Sequence, residues 1–214
     1  MIVLSDNDVI LKLAQCDLLK HLPEILDEDE HDIFVSPSAR FKLLSPRKPE
    51  KALKLCGNDT VYRKVADFLD RVQEIPEVTN EQLFNELGKV PHIDIGEQLL
   101  LASCMENPGS LFMTGDKRCL QAVMDNQAII ATVHSRLINS VVTFESALLL
   151  SVRMLGFDAV YKQLQENPKP DSMLKLAMRS AQHDDVCGCL LSFTRPVYDY
   201  LAFKDRLPVR AAYM

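Results

Sequence analysis

Three short stretches of this chain bring a carboxylate to the end of an apolar run or to the start of a helical one. They are Val3-Leu-Ser-Asp6-Asn7-Asp8, Ile93-Asp94-Ile-Gly96-Glu97 and Leu111-Phe-Met-Thr114-Gly-Asp116. Carboxylates that converge suit Mg²⁺ or Mn²⁺, which prefer oxygen ligands, keep several waters, and can polarise a phosphate while activating a water for in-line attack. Asp6, Glu97 and Asp116 are therefore the candidate catalytic and metal-binding set. Asp8 is a further metal-site acid, and Asp94 and Thr114 are supporting groups behind them. A crowd of like charges repels itself unless a cation is present, so such a cluster is seldom only structural. Each acid also has a plainer reading. Asp is a preferred helix N-cap, and Asp94-Ile-Gly-Glu97 has the spacing of a capping box.

These acids need a scaffold that gathers chain ends. Ile2, Val3 and Leu4 in succession read as a strand buried on both faces, the mark of a parallel sheet. Ile33-Phe-Val35, Leu111 to Thr114 and Val141 to Phe144 repeat that texture. In open α/β sheets ligands collect at the carboxyl ends of the strands, where Asp6 and Asp116 fall. Helical spacing is predicted over 9–19, over 59–73, over 81–87, after Glu97, and over 117–125. A helix introduced by Pro37 should run through Leu44 and stop at Pro46 and Pro49, leaving a loop or broken helix to Gly57. Residues 128–137 read as helix, with a strand as the alternative because Ile129, Ile130, Thr132 and Val133 are β-branched. From Glu145 the patterns are helical, divided by Pro168 and Pro170 and broken again by Pro196 and Pro208. The expected organisation is an α/β domain over 1–144 and a helical extension over 145–214 packed on it.

The order and spacing of the three acidic motifs resemble the PIN-domain nuclease superfamily over roughly residues 1 to 145. Val3-Leu-Ser-Asp6-Asn7-Asp8 matches its first motif, with Asp8 where an Asn is usual. Gly96-Glu97 matches the middle acid and Thr114-Gly-Asp116 the last. The resemblance implies a PIN-like parallel sheet of four to five short strands flanked by helices. It also implies a toxin-like endoribonuclease dependent on Mg²⁺ or Mn²⁺, acting on RNA phosphodiesters and partnered by an antitoxin, another protein or a second copy of itself. A further acid expected on the helix after the second strand is missing, since no Asp or Glu stands between Asp32 and Glu50. That departure supports an alternative, a catalytically weakened PIN-like module serving as an RNA-binding or protein-interaction subunit.

The same region carries Arg40, Lys42, Arg47, Lys48, Lys51 and Lys54 against the single acid Glu50, in a chain whose net charge is −6. Arg40, Lys42, Arg47 and Lys48 are the candidate RNA-binding residues. Such groups would hold phosphates without reading sequence, the alternative being a solvated face. The acidic total argues against a non-specific nucleic-acid coat protein. A hydrophobic content of 47 % with 25 % charged residues is ordinary for a folded domain. No apolar run approaches the ~20 residues that cross a bilayer and no signal peptide opens the chain, so a cytoplasmic protein without membrane contact is expected. The six cysteines should then be thiols. His183-Asp-Asp-Val-Cys187-Gly-Cys189 raises zinc, but the Cys-x-Cys spacing and the absence of a second pair favour buried thiols.

Overall fold

The apolar triplets pair side by side, because strands buried on both faces can satisfy their backbone groups only through two neighbours. The computed structural model of the chain describes residues 2–167 and 170–208. Its strands are β1 (Val3–Ser5), β2 (Ile33–Val35), β3 (Gln73–Glu74), β4 (Leu111–Thr114) and β5 (Val141–Thr143). They form one all-parallel sheet in the order β3-β2-β1-β4-β5, with Val3 opposite both Ile33 and Leu111 and with Thr114 opposite Thr143.

Thirteen α-helices surround the sheet among the described residues. The first half of the chain contributes α1 (Asn7–Gln15), α2 (Leu22–Leu26), α3 (Ala39–Leu44), α4 (Pro49–Cys56), α5 (Asp59–Leu69), α6 (Glu81–Leu87) and α7 (Ile95–Glu106). Then follow α8 (Lys117–Asp125), α9 (Gln127–Leu137), α10 (Phe144–Leu155), α11 (Phe157–Glu166), α12 (Ser172–Ala177) and α13 (His183–Thr194). The fold is thus α/β with a helical C-terminal region, as the sequence predicts. One hydrophobic cluster runs from Val3 to Leu207, so the C-terminal helices share the core of the sheet. Every residue of α10 from Phe144 to Val152 is buried. Burying Leu148, Leu149 and Leu150 stabilises the fold by roughly 1.5–3 kcal/mol each. After α13 the chain returns to the sheet, where Leu201 bridges to Val141 and Ala202 N–H donates to the Val141 carbonyl at 2.8 Å.

Several boundaries differ from expectation for identifiable reasons. The first helix starts at Asn7 and ends at Gln15, before a left-handed Asp17 (φ 60°). Pro49 begins α4 instead of closing the preceding helix. At N1 its missing N–H costs nothing, and the region expected to be a loop or broken helix is a helix from Pro49 to Cys56. Residues 127–137 are helical, but Ile130 leaves the helical region (φ −126°, ψ 44°), which kinks α9. The helix expected over 59–73 stops at Leu69 and yields β3. The stretch weighed for zinc is the start of α13, where Cys187 and Cys189 are two residues, about 200° of turn, apart and share no face. Pro168 and residues 209–214 lie outside the described residues.

Candidate functional site

Because the order is β3-β2-β1-β4-β5, the connections after β1 and β4 lead to opposite sides of the sheet. The crevice beyond their carboxyl ends is therefore the switch point where α/β sheets take ligands. Asp6 follows β1 and caps α1, while Asp116 follows β4 and caps α8. Asp6 N–H donates to the Met113 carbonyl at 2.8 Å, which ties the two strand ends together. The first turn of α7 brings in Asp94 and Glu97. The result is a cleft of about 450 Å³ whose walls carry five carboxylates, Asp6, Asp8, Asp94, Glu97 and Asp116, and three basic groups, Lys12, Lys42 and Arg118.

Each carboxylate is engaged close to its own helix. Asp6 Oδ1 accepts from Asn7 N–H at 2.7 Å. Asp94 Oδ1 accepts from the amides of Gly96 and Glu97, and Glu97 Oε2 accepts from Asp94 N–H at 2.7 Å, which completes the capping box. Asp116 accepts from Arg118 N–H at 2.8 Å and from the guanidinium at both oxygens, Nε at 3.1 Å and Nη2 at 2.7 Å. Asp8 pairs with Lys12 at 2.8 Å, and Lys12 reaches on to Asp171 at 3.2 Å. The capping roles legible in the sequence are all present, in the same residues that face the cleft. With the carboxylates so engaged, no group of three His, Cys, Asp or Glu among the described residues stands close enough to hold a metal ion. The donor chemistry is nonetheless that of a hard divalent cation, carboxylate oxygens throughout.

The electrostatics record how the acids face one another. Burial raises the Asp6 carboxyl to about 6, and the charges of Asp8 and Asp94 push the same way against the Asn7 amide and Lys42. Burial likewise raises Glu97 to about 7, against its hydrogen bond from the Asp94 amide and with added repulsion from Asp94, Asp116 and Asp6. Asp116 is the exception, since the Arg118 guanidinium holds it below the usual carboxylate range. Glu97 is thus poised to hold a proton near neutrality and Asp6 in mildly acidic solution, while Asp116 stays ionised beside an arginine that is 83 % exposed.

The predicted supporting and basic residues divide. Thr114 is buried, and its hydroxyl accepts from Asp116 N–H at 3.1 Å, so it shapes the turn and not the carboxylate. Lys42 lines the cleft, and a Cβ built on Gly96 would lie 3.3 Å from its Nζ. Arg40 turns the other way, to Asp70 at 2.5 Å and the Leu69 carbonyl at 3.2 Å, and belongs to the α3–α5 contact. Arg47 and Lys48 are exposed on the connection from α3 to α4. Lys117, next to Arg118 in the chain, pairs with buried Glu145 and donates to the Phe193 carbonyl.

Sequence reasoning passed over three members of the site. Lys12 looked like an ordinary helix lysine, and its two acidic partners lie 4 and 159 residues away. Asn7 Oδ1 is buried without a hydrogen-bond partner. Gly115 lets the β4–α8 turn pass against Asp8, since a Cβ there would overlap the Asp8 carboxylate. The obstructing atoms are the end of a flexible side chain. Gly115→Ala is accordingly expected to turn Asp8 off Lys12 and cost only ~1 kcal/mol, read as a lower urea midpoint at unchanged slope.

Comparison with protein-family models, with curated proteins and with solved structures finds no match, so the residues themselves carry the reading. Among the described residues no helix is long and apolar enough to cross a membrane.

Proposed function

We propose that this crevice is the active site of a PIN-like, toxin-type endoribonuclease that hydrolyses RNA phosphodiesters with Mg²⁺ or Mn²⁺. The observation that supports it most is the meeting of Asp6, Glu97 and Asp116, drawn from three distant segments, in one cleft at the switch point of a parallel sheet. Asp6, Glu97, Asp116 and Asp8 are the residues that would hold the cation. When bound, a divalent cation of this kind polarises the phosphate and supplies a nucleophilic water. For these residues to serve, Asp6 and Glu97 must give up protons that burial helps them retain. Asp116 must exchange the Arg118 guanidinium for the cation, and Arg118 is then free to meet the phosphate. Lys42 faces the cleft from α3, where the missing acid would stand, and with Arg47 and Lys48 it would hold the strand by its phosphates.

Lys42 and Arg118 also favour a second reading. Cations already set against the acids suit a module that binds RNA or a protein partner, an antitoxin or a second copy, without cutting. A labelled RNA incubated with the protein and Mn²⁺ separates the two readings. Cleavage abolished by EDTA is expected, and binding without cleavage across neutral and alkaline pH would leave only the second.

A further inference from the structure

A second cavity, of about 540 Å³, lies beyond the carboxyl ends of β2 and β3 and is larger than the acidic cleft. Among the described residues the two linings share no member. Helix α7 gives Glu97 to the cleft and Leu99 to the cavity, two residues and about 200° of turn apart. The other apolar walls are Pro37 after β2, Ile75, Pro76 and Val78 after β3, and Phe84 of α6. Its polar members are Glu77, Glu81 and Asn85, and α6 presents Glu81, Phe84 and Asn85 from one face, at i, i+3 and i+4. The segment that walls it is fixed from both ends. Ile75 N–H donates to the Val35 carbonyl at 2.9 Å. Glu106 Oε1 accepts from the Thr79 amide at 2.7 Å, the Thr79 hydroxyl at 2.9 Å and the Asn80 amide at 2.7 Å. A ligand entering this cavity therefore has little chain to order, which favours binding.

Size, lining and charge decide what fits. Small-molecule sites occupy roughly 300–1,000 Å³ and combine apolar walls with a few polar groups. Glu77 and Glu81 are exposed, and among the described residues no ion pair or side-chain hydrogen bond holds either of them. From residue 72 to residue 88 the chain carries Glu74, Glu77, Glu81 and Glu86 and no Lys or Arg, so a positive charge is what this mouth complements. None of the lining residues is among the large apolar side chains exposed on the surface. The apolar area on offer is inside the cavity, whereas a protein partner needs an apolar interface core outside it. We propose that this cavity binds a small organic cation, an apolar body whose ammonium or guanidinium group meets Glu77 and Glu81. The site is independent of whatever the acidic cleft does.

Two fluorescent probes test it by titration of the full chain: monodansylcadaverine, an aryl body ending in an ammonium, and dansyl-aminocaproate, the same body ending in a carboxylate. The wild type should bind the cationic probe saturably, with a blue-shifted emission, and about ten-fold more tightly than the anionic one. Glu77→Gln with Glu81→Gln should weaken the cationic probe about five-fold and erase most of that preference. Val78→Trp, which adds bulk to the wall, should weaken both probes by about ten-fold. Both glutamates are exposed, so the double variant carries the test even if Val78→Trp does not fold. Asp116→Asn should change neither affinity, since Asp116 lies in the cleft. Equal affinity of the wild type for the two probes, or uptake of neither, overturns the proposal. So does a preference that survives in the double variant. Cationic-probe binding lost in Asp116→Asn and retained in the double variant also overturns it, because the acidic cleft would then be what holds the charge.

Discussion

Asp116→Asn is expected to lower Mn²⁺-dependent RNA cleavage by roughly 10³-fold, since several kcal/mol of transition-state stabilisation depend on the cation and each 1.36 kcal/mol is ten-fold in rate. The fold should hardly notice. Asn is as good an N-cap as Asp, so the bond from Arg118 N–H survives. The ion pair that is lost involves an arginine 83 % exposed, a kind worth about 0–1 kcal/mol. Thermal unfolding should therefore move by no more than a few degrees. Asp116 is not the strained acid of the cluster, because Arg118 already favours its ionised form. Cleavage unchanged in this variant, at equal metal concentration, would place the chemistry elsewhere.

The strain lies in Glu97 and Asp6, and it makes stability depend on pH. Glu97 has an ordinary carboxyl value of 4.5 when unfolded and is raised to about 7 when folded. Between those values the folded protein holds the proton more tightly, so stability falls as pH rises from about 4.5 to 7 and the penalty is complete above 7. Asp6, raised from 3.8 to about 6, contributes in the same direction over a slightly lower window. For Glu97 the penalty is on the order of 3 kcal/mol. Glu97→Gln keeps the capping box, because Gln serves at N3. The variant should match the wild type at pH 4 and exceed it by that margin at pH 8, as read by urea unfolding. Mn²⁺ at pH 8 should stabilise the wild type by mass action and the variant much less. A wild type whose stability is flat from pH 4.5 to 8 would remove both the strain and the reason to expect a cation to relieve it.

The parts of this architecture written as local pattern were readable in advance. Ile33–Val35 and Glu81–Leu87 fall where the apolar spacing puts them, and Asp6, Glu97 and Asp116 stand at the strand ends and helix starts their motifs imply and line one cleft. What escaped depends on tertiary partners. Gln73 and Glu74 have no apolar signal and form a strand only because Phe34 and Val35 offer an edge. Pro49 punctuates either end of a helix, and only the packing of Ala52 and Cys56 decides which. Arg40 and Lys42 sit in one charge run, yet one is committed to Asp70 and the other to the cleft. Lys12 joins Asp8 to Asp171 across most of the chain, a link no window of sequence contains.

The bridge from Leu201 to Val141 has a consequence for self-assembly. An open parallel sheet presents two unpaired edges, and an exposed edge is a template on which another chain can add a strand and start aggregation or swapping. On the β5 side Leu201 and Ala202 occupy that template, with the amides of Asn139 and Ser140 also bonded to the Asp199 and Tyr200 carbonyls. On the other side β3 is two residues long and both are exposed and polar, too short and too hydrophilic to recruit an extended segment. Polymerisation through the sheet is thereby blunted at both ends, and copies of this chain that associate must meet through their helical faces.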